Sequence, residues 1–429
     1  MKQKGNEITK AKYQRNLRLI LIETVLTSIG AGFSISTINI FWNSIGMNQA
    51  DIGLTQMLFT VSILLLDIPM GYIADRFSRK LLNIVGDLGE ALVFLLYAFS
   101  QNMYMVIFSE CMLGLFGAMT NGVDQSFIKY NCNKIDESGE LFKKVNSKVY
   151  IYRYTMMLLI MIMGGFIAKY NLRATIGLSF IPYFIGGIVA LGIEDFADKK
   201  EVKHKNPVKD MITTFKDIIK IPKLKTYLCA YILGREVTHS QIWVFTPLMI
   251  MVGVPIEIVS LGWVFDQLMR IVGAKIATKM IHKKVSTNFA ISILIVVLWI
   301  TVIVLKLNIF TVWLFALNGI TVGLTSGTLQ TPLQESAKDE IQTSVMSLAS
   351  TGARLLYIPL VYIINYLGEI KIQYALIGVV VFFLPISIVE YKRLKAIEWK
   401  MLSKGQKGRF FFTTTCNSFE KTGMELNKN

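Results

Sequence analysis

Ionisable side chains inside long apolar runs are where this chain could do chemistry. Each costs roughly 2.5–3.5 kcal/mol at the middle of a membrane helix and persists only with a partner, water or a task. Glu23 shares one helical face with Thr27, Gly30, Ser34 and Thr37, at spacings of four, three, four and three. That stripe suits a water-filled cavity in which Glu23 carries a proton; the alternative is that Glu23 only snorkels to a nearby boundary. Glu110 falls on a face with Gly114, Gly117, Asn121 and Asp124, and either loads and releases a proton or sits in a static pair. Arg153 and Tyr154 come with Tyr150, Met157 and Met161, which reads as an adaptable binding surface or as plain helix packing. Arg235, Glu236 and His239 follow, and His239 titrates near neutral pH when unperturbed, so this trio is a proton-coupling group or a structural one. Asp266 and Arg270 stand four apart with the acid first, the spacing of an internal neutralising pair, and Asp266 is a further proton candidate. Arg354 and Tyr357, just before Pro359, mark a substrate or gate element, because an arginine keeps its charge and needs a carboxylate, an anion or water. The proton candidates are therefore Glu23, Glu110, Asp266 and His239, and the substrate candidates Arg153, Tyr154, Arg235, Glu236, Arg354 and Tyr357. A Walker-type phosphate loop, a nucleophile constellation, a metal cluster and a nucleotide fingerprint are all missing from the sequence, so no enzyme activity, metal or cofactor is expected.

The elements that position these residues follow from composition. With 53% hydrophobic and 17% charged residues, the chain is too apolar to cover itself with a polar surface, so a lipid bilayer is its expected solvent. Spanning takes roughly 20 apolar residues as helix, and the continuous apolar runs exclude the alternation of a barrel. Twelve helices fit: about 17–42, 50–73, 81–100, 103–126, 147–169, 174–193, 226–250, 257–280, 286–306, 309–330, 345–367 and 372–392. No cleavable signal precedes the first. Lys and Arg crowd 2–18, 74–80, 129–148, 199–225, 275–284 and the stretch from Lys392, while the alternate loops hold only Lys169, Arg173, Lys306 and Lys371. That asymmetry explains the net charge of +16 by the positive-inside rule rather than by nucleic acid, and predicts a multi-pass plasma-membrane protein with both termini in the cytosol. The four cysteines, Cys111, Cys132, Cys229 and Cys416, lack disulfide or metal spacing.

The predicted layout is an N-terminus at 1–16, a six-helix bundle at 17–193, a cytosolic loop at 194–225, a second bundle at 226–392 and a cytosolic tail at 393–429. The loop segment PVKDMITTFKDIIKIPKL reads as a short amphipathic helix on the inner leaflet. The halves echo one another: IADRFSRK after residue 72 has a weaker counterpart in IATKMIHK at 276–283, GVDQS at 122–126 matches GTLQT at 327–331, and Arg153 has Arg354. Two parallel six-helix halves with substrate held between them are an architecture of secondary transporters.

On these residues the chain resembles the major facilitator superfamily over about 15–395. GYIADRFSRK at 71–80 is similar to that family's loop motif G-x-x-x-D-R-x-G-R-R/K between helices two and three, with Ser78 at the usual glycine. The resemblance implies an all-α membrane protein of twelve transmembrane helices in two pseudo-symmetric six-helix bundles. It also implies a conformational gate made by Asp67, Gly71, Asp75, Arg76, Arg79 and Lys80, which latches one end by weak, exchangeable pairs; plain positive-charge anchoring is the alternative. Many exporters of the family carry an arginine where Glu110 stands here. In helix five Gly164 and Gly165 remain of an antiporter motif whose glycine and proline are replaced by Ile160 and Met161. The expected function is proton-coupled export of a drug-like or peptide-like small molecule by alternating access, by a monomer. The alternatives are a proton-coupled importer of a small polar or anionic nutrient, with Arg153, Arg235 and Arg354 on the anion, and a non-transporting membrane sensor or immunity protein.

Overall fold

Apolar runs of this length must satisfy their backbone groups internally in a bilayer, and the chain does so as helix. The computed structural model describes residues 2–76, 78–120, 123–136, 140–194, 216, 218, 220–280, 283–336 and 342–403; helix residues whose side chains lie outside the description include 71–76 and 123–126. The first half comprises α1 (Lys2–Ile35), α2 (Ile38–Ser44), α3 (Gln49–Arg76), α4 (Arg79–Phe99), α5 (Met103–Thr120), α6 (Val123–Ile135), α7 (Glu140–Tyr170), α8 (Leu172–Leu178) and α9 (Phe180–Leu191). The second comprises α10 (Pro222–His239), α11 (Phe245–Met251), α12 (Ile256–Met280), α13 (Val285–Leu305), α14 (Leu317–Thr325), α15 (Thr331–Glu335), α16 (Gln342–Ile370) and α17 (Ile372–Ser403).

Among the described residues ten helical segments are long and apolar enough to cross a membrane. The two other expected spans coincide with α10 and α11, interrupted by a short 3-10 turn at Ile242–Val244, and with α12, whose Asp266, Arg270, Lys275 and Lys279 dilute its apolar character. The outer surface is apolar, with Leu65, Leu92, Phe99, Leu298 and Val381 all exposed, the inside-out pattern of a chain solvated by lipid.

Three boundaries differ from the sequence reading. The stretch 2–16 is helical and continuous with the first span, because α1 begins at Lys2; Asn16 is buried and donates to the Glu194 carbonyl at 2.9 Å. The first span ends at Ile35 and resumes as α2. The last helix continues past 392, since α17 runs on to Ser403 and docks Glu398 on the start of α13, accepting from the Ser286 amide at 2.9 Å. Most of the proposed amphipathic loop helix lies outside the described residues, as does the tail beyond Ser403.

The two halves meet most extensively at the end of the bundle away from the termini, here the distal end. Trp42 packs on Trp243 with ring centroids 5.3 Å apart. Gln49 donates from its side chain to the Trp243 carbonyl at 3.0 Å and to Asn365 at 2.5 Å, and from its backbone to Glu369 at 2.8 Å. Lys169 pairs with Glu257 at 2.8 Å. Close approach of α7 to α12 depends on Gly165, where a Cβ would lie 2.1 Å from Ser260 Oγ and 3.1 Å from the Glu257 carbonyl. We expect Gly165→Val, an overpacking worth about 1–3 kcal/mol, to weaken this closure. A cysteine at position 49 should then react roughly tenfold faster with a membrane-impermeant thiol reagent; an unchanged rate would mean that α7 and α12 do not separate there.

Candidate functional site

Between the halves lies a cavity of about 780 Å³, within the range of small-molecule sites. α1 contributes Glu23, Thr27, Ser28 and Ser34 to its wall. The predicted polar stripe of the first span thus faces the cavity at Glu23, Thr27 and Ser34. Glu23 is buried and accepts from Asn83 Nδ2 at 3.3 Å.

Glu110 is buried on α5 and also lines the cavity. Its carboxylate accepts from the Tyr97 hydroxyl on α4 and from Gln56 Nε2 on α3, the latter at 3.1 Å. Gly114 lets α5 approach α3, since a Cβ there would meet Ser62 at 2.9 Å. Asn121 and the Asp124 side chain lie outside the described residues. From α7, Arg153, Tyr154 and Met157 reach the cavity, and Tyr154 stacks on Tyr150.

Two acids on the wall were missed in the sequence. Asp87 and Glu90 of α4 line the cavity beside Glu23 and Glu110, and Thr120 Oγ1 donates to Glu90 at 3.5 Å. Asn83, Asp87 and Glu90 stand at spacings of four and three, one helical face, and beside it Gly86 and Gly89 pack against α5 at Thr120 and Phe116. The criterion that selects Glu23, an acid within an apolar run, would have found both.

The second half contributes Trp243 and Arg354 to the cavity wall. Arg354 forms an ion pair across the halves with Asp67 of α3, so a residue assigned to substrate and one assigned to the gate are partners. The other second-half candidates form a cluster that does not line the cavity. Glu236 is buried between Arg235 and His239, each at 3.5 Å. His239 packs on Tyr357 with centroids 4.3 Å apart, and the Tyr357 hydroxyl accepts from Trp243 Nε1 at 2.9 Å. Among the described residues Trp243, which donates to Tyr357, is the member of this group's contacts that lines the cavity. Asp266 pairs with Arg270 at 2.9 Å on α12, away from the cavity, the internal neutralising pair its spacing predicts.

Of the remaining gate residues, the side chains of Gly71, Asp75 and Arg76 lie outside the described residues, although α3 continues through Arg76. Arg79 opens α4, and Lys80 donates to the Leu191 carbonyl at 2.7 Å, satisfying the end of α9 within the first half. Ser78 has an extended backbone and caps α4, its Oγ accepting from the Leu81 amide at 3.1 Å, which gives a physical reason for serine where the motif has glycine. Ser78→Ala should cost about 1 kcal/mol of stability and Ser78→Gly only a few tenths, measurable as thermal midpoints of the purified protein. Equal losses would deny the cap.

The family model described as Major Facilitator Superfamily matches residues 20–359. An uncharacterized MFS-type transporter of Methanocaldococcus jannaschii is 24% identical over 179 residues, 42% of this chain and 39% of that protein. The chain therefore spans well under two thirds of that relative in the match. A second uncharacterized MFS-type transporter, of Bacillus subtilis, is 24% identical over 153 residues, 35% of this chain and 90% of that protein. Among solved structures, the nucleoside transporter NupG superposes with a TM-score of 0.71 at 14% identity, covering 89% of this chain and 98% of that one. A bacterial homologue of the human lysosomal transporter Spinster, inward-facing and unoccupied, gives 0.69 at 11% identity, covering 90% and 97%. At these identities the likeness is one of fold.

Proposed function

The chain belongs to the major facilitator superfamily, a family of membrane transporters, and from that premise we propose that it exports a drug-like small molecule by alternating access, in exchange for protons. The carrying observation is the cavity between the halves, sealed distally by contacts between the halves and lined by the buried carboxyl of Glu110. Glu110 meets Tyr97 from α4 and Gln56 from α3; Cys111 is its neighbour on α5, and Tyr357 of the second half lies within its electrostatic reach. Among the described residues none of these contacts is a cation. A carboxyl so placed changes its charge most readily by taking or losing a proton, the chemistry that couples a gradient to the movement of the halves.

The cavity's charge argues against the anion importer. Of the three arginines that reading needs, Arg354 is held by Asp67 and Arg235 lies on Glu236 outside the cavity, which leaves Arg153 among four lining carboxylates. The concentration of Lys and Arg at the terminus-bearing end supports cytosolic termini. On that orientation the described state is shut toward the outside.

The test is transport in inside-out vesicles with an imposed proton gradient and a panel of labelled compounds. Gradient-dependent accumulation is expected. Flux indifferent to the gradient overturns the coupling, and absence of flux for a broad panel favours the sensor reading.

A further inference from the structure

We infer that the end of α17, with the start of α13 beside it, is a binding surface for anionic phospholipid headgroups of the leaflet on the terminus-bearing side. One exposed stripe of α17 carries Val381, Pro385, Ile388, Lys392, Lys395 and Trp399, at spacings of four, three, four, three and four. Its first three members belong to the apolar outer surface that lipid tails solvate, so the last three face the same bilayer further along. The stripe changes from aliphatic to two lysines and a tryptophan, as a bilayer changes from hydrocarbon to headgroups. The two acids at this end turn inward. Glu390 is buried and pairs with Arg393 at 3.3 Å, and the buried Glu398 accepts from both the amide and the hydroxyl of Ser286.

The depth of this surface follows from α13. Val285–Leu305 is an apolar helix of 21 residues, about 30 Å long and so matched to the hydrocarbon thickness, with one end at each edge. Glu398 is held at the second residue of that helix, which sets Trp399 at the hydrocarbon edge. There an indole, 73% exposed, has lipid for its ring and headgroups for its N–H. Lys283 and Lys284, just ahead of α13, are exposed at the same level. Counting only Lys283, Lys284, Lys392, Arg393 and Lys395 against Glu390 and Glu398, both taken as ionised, the two helix ends keep an excess of at least three positive charges (5 − 2). Cations at headgroup depth draw anionic lipid, and zwitterionic lipid offers them no net charge. A nucleic acid or an acidic soluble protein would match the lysines but not a stripe continuous with the lipid tails.

The experiment places the full-length protein in nanodiscs of phosphatidylcholine with a minor fraction of phosphatidylglycerol. Equal amounts of lipid brominated on the upper acyl carbons are supplied with one headgroup or the other, and the emission of Trp399 is read as wild type minus Trp399→Phe. Brominated phosphatidylglycerol should quench that emission about twofold or more beyond brominated phosphatidylcholine. The excess should shrink as salt is raised and vanish in the double variant Lys392→Gln with Lys395→Gln. It should persist in Lys306→Gln and Lys371→Gln at the distal end. All the substituted side chains are exposed, and the contrast between the two lipids needs no lysine variant. Equal quenching by the two lipids overturns the inference. So does an absence of quenching by either, which would leave Trp399 to water, to a protein or to a soluble polyanion. Loss of the excess on adding glycerol phosphate would also overturn it, by making this a site for phosphate from solution.

Discussion

Glu110→Gln should reduce gradient-driven transport about 100-fold, a loss of about 2.7 kcal/mol, while exchange of labelled for unlabelled substrate without a gradient stays within about threefold. The side chain keeps its volume, its amide oxygen can still accept from Tyr97, and its amide NH2 can donate to Gln56 once that amide turns its oxygen toward it, so packing among α3, α4 and α5 is preserved. What disappears is the group proposed to take and release a proton. A buried ionised carboxyl carries a desolvation penalty of several kcal/mol unless it is compensated, and a proton is the compensation that can leave to either side of the membrane. The pH dependence of flux should flatten in the same variant. Gradient-driven transport kept within threefold of wild type would move the coupling to Glu23, Asp87 or Glu90 on the same wall.

The apolar runs made the helices legible, because nothing but helix spans a bilayer from runs so long and so evenly hydrophobic. The loop motif made the family legible. The cavity was only partly so. Glu23 and Glu110 stand out against their runs and both line it, yet Asp87 and Glu90 do the same and were absorbed into the hydrophobicity of 81–100. Once a run is long enough to span, its average hides which face carries the acids. Asn83, Asp87 and Glu90 recur at helical spacing on one face, and Gly86 and Gly89 beside that face mark the side of α4 packed on α5.

Long-range partnership was the other obscured layer. Arg235, Glu236 and His239 share a short stretch, and the sequence suggested that they act together. They are in contact, but around Tyr357 and behind Trp243 rather than on the cavity wall. The break after His239 lets the chain leave helix and turn Trp243 toward Trp42 and the first half. That reorientation depends on tertiary packing between halves some 200 positions apart, which helical periodicity does not encode.

Asp67 and Arg354 are the sharpest case, 287 positions apart and paired across the halves. Their side chains retain 24% and 20% of their exposure, so breaking the pair falls short of the 3–5 kcal/mol of a fully buried one and should amount to about 1–2 kcal/mol. If the pair forms in the distally closed state and parts when that end opens, Asp67→Asn and Arg354→Met should each depopulate the closed state about 10-fold. Each should also slow turnover, and each should raise the reactivity of a cysteine at position 49. The exchanged variant Asp67→Arg with Arg354→Asp should recover most of both, because an ion pair works in either orientation. If Arg354 instead bound substrate, Asp67→Asn would free the guanidinium and tighten binding of an anionic compound, and the exchange would abolish binding rather than restore turnover. If the pair held the fold in every state, the single variants would lower the thermal midpoint without changing cysteine reactivity. Recovery by exchange, with reactivity and turnover moving together, is the result that only a gate produces.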